Sequence, residues 1–355
     1  MTINHYNKSN SQINTPQIKS YKAPRSWGDP NHYLLALKDP WYKTIIKLED
    51  SISIGIFEFF HEIGFKTMHM PITTNSISSP MGVGSDSSPV KVELFGIETF
   101  LSDSMQFMLE YGVRMTETGG YYLMPSFRGE DADQRHLCQF YHAEAEIHTG
   151  GLEQVIQLVE KCLLTMTQKI LNICGDEIIR IAGSVKHVES MLEHKSGFPR
   201  VTFEEALALL GGNNHFFSEI MPNCRRITPK GESELIQRFG GFVWLTHFDH
   251  LAVPFYQAFA DDSSKALAAD LLFGIGETVG AGERHSTEAQ VRRAFATHRV
   301  DSTEYAWYCE MKKQFPLQTA GFGLGTERYI CWLLQHNDVR DCQLFPRFNR
   351  MANVP

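Results

Sequence analysis

Residues 127–140 combine two arginines, a histidine and an aromatic ring at a spacing that could hold a nucleotide. Arg128 could pair with one phosphate, and Arg135 with His136 could pair with another, because such cations match phosphate oxygens. Phe140 could present its ring face to a base. A charged hairpin tip without a ligand accounts for the same residues, so this segment alone leaves both interpretations open.

A glycine-rich segment, residues 321–328, ends in Arg328 directly before an apolar stretch. Glycine lets the backbone approach a ligand closely, and the charge of Arg328 at a helix start would point into that space. Glycine-rich turns before helices are common, so this signal is weak in isolation.

Asp270 and Glu277 are seven residues apart across a turn that contains glycine. That turn could bring both carboxylates to one hard cation such as Mg²⁺, which prefers oxygen ligands. Two solvated acids on a hairpin explain the pattern equally well. A second metal-like group, His247, Asp249 and His250, fits packing at a strand end better than a set of ligands.

Two further segments carry polar residues at regular spacing. Gln106 and Glu110 would share one helical face by their i, i+4 spacing. Residues 75–88 are rich in Ser, Gly, Pro and Asp and predict a long surface loop, which in compact domains is often functional. Neither pattern names a ligand without further context.

The chain divides into a polar tail, residues 1–30, and one folded domain, residues 31–355. The tail has no apolar period and suits a mobile segment. Apolar periodicity in the domain predicts helices over 41–65, 152–173 and 325–335, and strands over 65–71, 121–127, 137–147, 241–246 and 270–273.

The predicted strand 137–147 has one strongly polar face. Side chains alternate between the two faces of a strand. The polar face carries Phe140, His142, Glu144 and Glu146.

Composition excludes several classes of protein. The net charge of −8 and a pI near 6.0 argue against broad binding to nucleic acid, which needs clustered Lys and Arg. No apolar run approaches the ~20 residues that span a bilayer, and the start has no signal-peptide core. Seven scattered cysteines, an odd count without a C-x-x-C pair, indicate neither a disulfide framework nor a zinc site. We therefore expect a cytoplasmic protein without membrane contact.

In order, these segments resemble the class II aminoacyl-tRNA synthetases, specifically the aspartyl and asparaginyl subgroup and its truncated relatives that resemble asparagine synthetases. The resemblance covers roughly residues 40–347. Motif 1 of the family is matched by the predicted helix 41–65 and the strand closed by Pro71. Motif 2 is matched by residues 127–140 and motif 3 by residues 323–328.

The resemblance implies an ATP site built from Arg128, Glu130, Arg135, His136, Leu137, Phe140, Glu277 and Arg328. The two catalytic residues would be Arg128, which holds the α-phosphate and the substrate carboxylate, and Arg328, which packs against adenine and reaches the γ-phosphate. Arg135 and His136 would face the outer phosphates.

The base and the metal have their own residues in this resemblance. Glu130 would meet the adenine and Phe140 would stack under it. Asp270 and Glu277 match the magnesium-binding acids of the family. Adenylation is attack by a carboxylate on the α-phosphorus, so positioning and charge neutralisation suffice and no protein nucleophile is needed.

For the amino acid, the resemblance implies that Gln106 and Glu110 lie near the ammonium group and that Arg284 reads an aspartate or asparagine side chain. Ser85 and Asp86 would belong to the loop that closes over the substrate. Arg128 would contact the carboxylate that is activated.

The sequence departs from the family in three places. Only the tail and one short segment precede motif 1, so we expect no anticodon-binding barrel and no anticodon recognition. Leu109 replaces the lysine of aspartate-specific members, and Val253 replaces a basic residue before Phe255 and Tyr256. Because an unpaired buried carboxylate is costly, these changes weaken the case for plain aspartate and leave an asparagine-like or unusual acid open.

Three functions follow as expectations. The first is an ATP- and Mg²⁺-dependent ligase that adenylates the acid and then forms an amide with ammonia or an amine. The second passes the acyl group to the tRNA acceptor end, a carrier protein or a protein side chain. The third, a non-catalytic regulator that binds a nucleotide or amino acid, is disfavoured because the set of motif residues is intact. We expect an α+β fold, a mainly antiparallel sheet of about six strands flanked by helices. The resemblance also implies a symmetric homodimer through the helix and strand of motif 1.

Overall fold

The computed structural model describes residues 21–78, 88–148, 150–212 and 214–351, which form a mixed α+β fold as the sequence predicts. The helices are α1 (His32–Ala36), α2 (Pro40–Glu62), α3 (Gln106–Val113), α4 (Leu152–Ala182), α5 (Lys186–Glu193), α6 (Phe203–Leu209), α7 (Pro229–Arg238), α8 (Glu288–His298), α9 (Ala306–Gln314) and α10 (Thr326–Leu333). The strands are β1 (Lys66–Thr67), β2 (Thr73–Thr74), β3 (Val90–Leu94), β4 (Ile97–Leu101), β5 (Gly119–Phe127), β6 (Gln139–His148), β7 (Arg200–Thr202), β8 (Phe217–Met221), β9 (Cys224–Ile227), β10 (Val243–Thr246), β11 (Ala268–Phe273), β12 (Gly276–Glu283) and β13 (Thr319–Gly325).

The central sheet has eight strands in the order β1-β5-β6-β13-β12-β11-β10-β7. All neighbours are antiparallel except the outermost pairs, β1 with β5 and β10 with β7. The sheet is larger than the predicted six strands, and β7, β12 and β13 lie outside the predicted strand ranges. β7 has only three residues, and the glycines of β12 and β13 interrupt the apolar alternation that marks a strand. β1 covers only two residues of the predicted strand 65–71.

Helices α2 and α4 pack together on one face of the sheet and supply a large share of the main core. Helix α2 begins at Pro40, where the Asp39 side chain accepts a hydrogen bond from Trp41 N at 2.8 Å. It ends before Gly64, whose φ of 82° suits glycine. Helix α4 runs to Ala182 rather than to residue 173, since Cys174 and Ile178 continue its buried stripe.

Residues 1–20 of the predicted tail, 1–30, lie outside the described ranges, whereas its last part has defined structure. Residues Ser26–Gly28 form a short 3-10 helix, and Trp27 Nε1 donates to Asp341 Oδ1 at 3.1 Å. The last part of the predicted tail therefore packs against the end of the domain.

Alternation along the strands divides the sheet into two unlike faces. Ala143, Ala145 and Ile147 of β6 point into the main core with α2 and α4. The residues between them point to the opposite face, which carries the candidate site. Among the helices of the described ranges, none combines the length and apolar character needed to cross a membrane.

Candidate active site

Two adjoining cavities lie on the polar face of the sheet. The larger, about 360 Å³, and the smaller, about 160 Å³, share part of their walls. The shared residues are Arg128, His142, Glu277, Gly280 and Gly323. A molecule that fills both cavities would therefore pass beside Arg128.

The floor of the larger cavity needs glycine because acidic side chains approach the backbone closely. A Cβ on Gly321 would lie 1.9 Å from Glu146 Oε2, and one on Gly323 would lie 3.1 Å from Glu144 Oε1. Both glycines belong to β13, which pairs with β6. The glycine-rich segment found in the sequence thus makes room for the polar face of β6.

The smaller cavity brings most of the predicted nucleotide residues together. Its walls include Arg128, Arg135, His136, Leu137, Phe140, Glu277 and Arg328. The Arg128 guanidinium lies 5.4 Å from the centre of the Phe140 ring. Its Nε is buried and has no partner within the described residues. An anionic ligand could satisfy that nitrogen.

Arg328 is fixed by backbone oxygens. Its Nη2 and Nε donate to Arg135 O at 3.2 and 3.3 Å, and its Nη1 donates to Glu277 O. Burial lowers the pKa of Arg328 from its ordinary value. The planar fork thus ties the hairpin loop to β12 and keeps a cation at the end of the smaller cavity.

Arg135 has a partner that the sequence did not indicate. Its Nη2 donates to Glu232 Oε2 of α7. His136 Nδ1 lies 3.0 Å from Asp133 Oδ1, and burial together with the charge of Arg328 lowers the pKa of His136. Phosphate binding by Arg135 would have to compete with the Glu232 pair.

Glu130 lies beside the cavities and lines neither of them. Its Oε1 accepts a hydrogen bond from Ser88 N at 2.7 Å, while its Oε2 is buried without a partner in the described part of the chain. Asn349 clamps this loop: Nδ2 donates to Glu130 O at 3.0 Å, and Oδ1 accepts from Ala132 N at 2.8 Å. The loop that contains Glu130 is therefore braced by the C-terminal segment.

Asp270 and Glu277 both lie close to Gly280. A Cβ on Gly280 would lie 3.1 Å from Glu277 Oε1 and 3.6 Å from Asp270 Oδ1. Burial raises the pKa of Asp270 well above its usual range, and the charges of Glu277 and Glu232 raise it further. The described residues contain no cluster of three or more metal-ligating side chains. The crowded negative charge nevertheless fits a cation held by two carboxylates and other oxygens.

Arg284 is buried in the wall of the larger cavity. Its Nη1 donates to Gln257 Oε1 at 2.9 Å, its Nη2 lies 3.2 Å from Glu146 Oε2, and its guanidinium stands 5.3 Å from the Tyr256 ring centre. Burial raises the pKa of Glu146 to about 7, against the charge of Arg284. The sequence analysis identified Arg284 as a substrate-binding residue but assigned no role to Gln257.

Gln106 and Glu110 occupy different depths. Gln106 lines the larger cavity, whereas Glu110 is fully buried behind it and accepts a 2.6 Å hydrogen bond from Gln106 Nε2. Glu110 also pairs with Lys312 and accepts from the Tyr308 hydroxyl at 2.8 Å. Glu110 thus orients Gln106 instead of lining the cavity.

Glu144 is a buried carboxylate in the wall of the larger cavity, as are Asp103 and Glu146. It accepts from Ser104 Oγ at 2.7 Å and from the Tyr122 hydroxyl. Burial alone would raise the pKa of Glu144, but hydrogen bonds from His142, Tyr122 and Ser104 outweigh it and lower the pKa. The alternating pattern of the predicted strand placed Glu144 on the polar face but did not indicate its function.

A hairpin of β8 and β9 contributes residues that the sequence analysis missed. Arg225 and Arg226 line the larger cavity. Arg225 is engaged with Asp249, whose Oδ2 accepts from Arg225 Nε at 2.8 Å. His250 Nδ1 lies 2.8 Å from His298 Nε2, so Asp249 and His250 have separate protein partners.

The predicted substrate loop residues Ser85 and Asp86 lie outside the described ranges.

Comparison with known proteins places this site in context. The family model described as tRNA synthetases class II (D, K and N) matches residues 29–349. The structure is similar to asparaginyl-tRNA synthetase from Pyrococcus horikoshii complexed with asparaginyl-adenylate, with a TM-score of 0.82 and 23% identity, covering 92% of this chain and 73% of that chain. Asparaginyl-tRNA synthetase from Entamoeba histolytica in complex with asparaginyl-adenylate gives 0.78 and 21%, covering 95% and 73%. Aspartyl tRNA synthetase from Entamoeba histolytica gives 0.73 and 19%, covering 97% and 66%. At these identities the structural likeness establishes a shared fold.

Proposed function

The chain belongs to the class II tRNA synthetases (D, K and N), and on that premise we propose that it uses ATP to activate the carboxylate of an amino acid as an aminoacyl-adenylate. The observation that carries this proposal is the meeting of the two cavities at Arg128. ATP would occupy the smaller cavity and the amino acid the larger one. The guanidinium between them would neutralise both the α-phosphate and the attacking carboxylate.

The walls of the smaller cavity support the nucleotide half of this proposal. Phe140 would stack under the base, Glu130 would meet the adenine from the loop, and Arg328 would reach the γ-phosphate. Arg135 and His136 would face the outer phosphates, and Leu137 would line the same ATP site. With reactants so positioned, in-line displacement needs no nucleophile from the protein.

Asp270 and Glu277 would hold Mg²⁺, which supplies charge neutralisation to the phosphates when it is bound. The raised pKa of Asp270 supports this role, because carboxylates gathered in a buried site repel one another until a cation arrives. Glu232 adds to the same negative field.

For the amino acid, we propose an aspartate- or asparagine-like substrate. Glu144 and Gln106 line the end of the cavity suited to its ammonium group, with Glu110 holding Gln106 from behind. Arg284 would read the side chain. When Glu146 is ionised, its charge offsets that of Arg284, and a neutral amide is then accommodated more readily than a second carboxylate.

We propose that the adenylate is then converted to an amide by ammonia or another amine. The net charge of −8 supports a small acceptor, since it disfavours broad contact with a phosphate backbone. A second candidate, transfer to a tRNA acceptor end or a protein, is favoured by the structural likeness to asparaginyl- and aspartyl-tRNA synthetases.

We also propose a homodimer through α2, whose exposed face carries Ile46, Ile54 and Phe57.

One experiment tests the first step and identifies the acceptor. The purified protein is incubated with ATP, Mg²⁺ and each of a panel of amino acids, and ATP–pyrophosphate exchange is measured. Mass spectrometry then follows AMP and new products with ammonium chloride, with bulk tRNA or with neither. Exchange with no amino acid would refute adenylation. Acylated tRNA without an amide would favour the second candidate.

A further inference from the structure

We infer that His142 is the general base of the second step, taking the proton from the amine that attacks the adenylate; this inference rests on the proposed function. Along the site face of β6 stand, in order, Phe140, His142, Glu144 and Glu146. Successive residues on one face of a strand are separated by about 6.5–7 Å. His142 therefore stands between the ring that would stack on the base and the carboxylate nearest the amino acid.

The position of His142 coincides with the junction of the two cavities. It lines both of them, as Arg128 does, and its side chain is 15% exposed. The carbonyl carbon of an aminoacyl-adenylate lies between the α-phosphate and the amino-acid end. With phosphate and acid in their separate cavities, that carbon is brought beside the imidazole.

Hydrogen bonding defines which ring nitrogen can act as the base. Nδ1 lies 3.1 Å from Glu144 Oε1 and 3.1 Å from Ser126 Oγ. A carboxylate only accepts, so Nδ1 carries the proton and Nε2 keeps the lone pair. In the described ranges Nε2 has no protein partner. A carboxylate behind an imidazole that faces substrate is the arrangement that orients a base and stabilises its protonated form.

The step balances without another reactant. The amine nitrogen attacks the carbonyl carbon, and a C–N bond forms. The proton of that nitrogen passes to His142 Nε2. The C–O bond to phosphate then breaks, AMP leaves with the electron pair, and the imidazolium returns its proton to water.

A second interpretation is that His142 only orients Glu144. The two are separated by comparing the two half-reactions in His142→Gln, because glutamine keeps a hydrogen-bond donor near Glu144 but has no basic nitrogen. Exchange between ATP and pyrophosphate reports the first half-reaction. Release of AMP that depends on ammonium chloride or methylamine reports the second.

We expect the amine-dependent rate of His142→Gln to fall roughly 100-fold or more, the usual size of a general-base contribution. Exchange should fall by much less. At a fixed concentration of free amine, the rise of the wild-type rate with pH should vanish in the variant. Hydroxylamine, a strong nucleophile that is unprotonated at neutral pH, should recover much of the lost product. Tyr141→Phe is the matched control, since Tyr141 is on the opposite face of β6 and lines neither cavity.

Three outcomes have distinct meanings. If the wild-type protein shows no exchange, the proposed function itself fails. If exchange occurs but no amine stimulates AMP release, the assignment of His142 as the base for an amine is overturned. It is also overturned if His142→Gln slows both half-reactions in parallel with an unchanged pH profile, because His142 would then only orient Glu144.

Discussion

Lys312 Nζ donates to Glu110 Oε2, and both side chains are fully buried behind the larger cavity. The same ammonium group donates to His285 O at 2.6 Å. Glu110 in turn accepts from Gln106 Nε2, and His285 directly follows Arg284 in the chain. One buried cation thus supports two walls of the proposed amino-acid site.

Removing that cation should destabilise the fold and weaken binding of the amino acid. In Lys312→Met, the Glu110 carboxylate would remain buried without its partner, which typically costs about 3–5 kcal/mol. We expect this loss in the free energy of unfolding measured with urea. The neighbouring variant Lys313→Met is the control: the Lys313–Glu310 pair is exposed, so its loss should cost about 1 kcal/mol or less. Equal effects of the two substitutions would contradict the role of Lys312.

Arg328→Lys should impair adenylation more than it impairs folding. Lysine cannot reproduce the fork that grips Arg135 O and Glu277 O, so both the cation and the loop would shift. We expect exchange activity to fall by about 100–1,000-fold, as for loss of a positioned charge-stabilising group. Thermal unfolding monitored by circular dichroism provides the check that the fold persists. Arg340→Lys, which alters a pair with Asp338 outside both cavities, should retain activity.

Asp270→Asn should make the metal-free protein more stable while abolishing the ATP–pyrophosphate exchange that we propose to depend on Mg²⁺. The folded pKa of Asp270 is raised by burial and by the charges of Glu277 and Glu232. Stability therefore falls as the pH rises from the ordinary pKa of an unfolded Asp towards the higher folded pKa, because the unfolded carboxyl ionises first. Asparagine removes the charge. Urea unfolding at pH 8 with EDTA should therefore show a higher midpoint for the variant. A lower urea midpoint for Asp270→Asn would contradict this prediction, because it would mean that the Asp270 carboxylate stabilises the folded protein.

The buried histidines should make stability sensitive to mild acid. Burial lowers the pKa of His298 to about 4, below its unfolded value, so the unfolded state binds more protons and stability falls as pH drops from about 6.5 towards 4. His298→Gln removes this dependence but loses native packing. Between pH 7 and pH 5, the free energy of unfolding of the wild-type protein should fall by about 2 kcal/mol more than that of the variant, measured by urea unfolding at each pH. If the difference in unfolding free energy between wild type and His298→Gln does not change with pH, His298 is not held neutral by burial.

A dimer through α2 predicts that a charge on its exposed face will separate the subunits. Ile54 is 37% exposed although it belongs to the longest apolar pattern near the start of the domain. Sedimentation velocity should show Ile54→Lys as a monomer at concentrations where the wild-type protein is dimeric. Ile220→Lys, on β8, is the control because Ile220 is also exposed. A wild-type protein that sediments as a monomer would refute the dimer.

Strong local periodicity explains which parts of the fold the sequence could predict. The hairpin of β5 and β6 follows from alternation, and α2 follows from helical spacing closed by Gly64. Helix α10 follows from the apolar stretch after the glycine-rich segment. Each of these patterns lies within a short stretch of sequence, so it can be recognised without knowledge of the tertiary structure.

Contacts between distant segments explain what the sequence could not predict. Glu232 meets Arg135 across 97 residues, and no local pattern marks either as the partner of the other. The same holds for Lys312 and Glu110, 202 residues apart. The depth of Glu110 could not be predicted because i, i+4 spacing gives a shared helical face but not what covers that face.

The clamp made by Asn349 has a practical consequence for handling the protein. Its amide holds the loop of Glu130 from outside the cavities. If the proposed ATP site is correct, a protease cut or a bulky fusion in the neighbouring segment would weaken nucleotide binding without altering any residue that lines the cavities. Nucleotide affinity thereby becomes a sensitive gauge of whether that stretch of chain is intact.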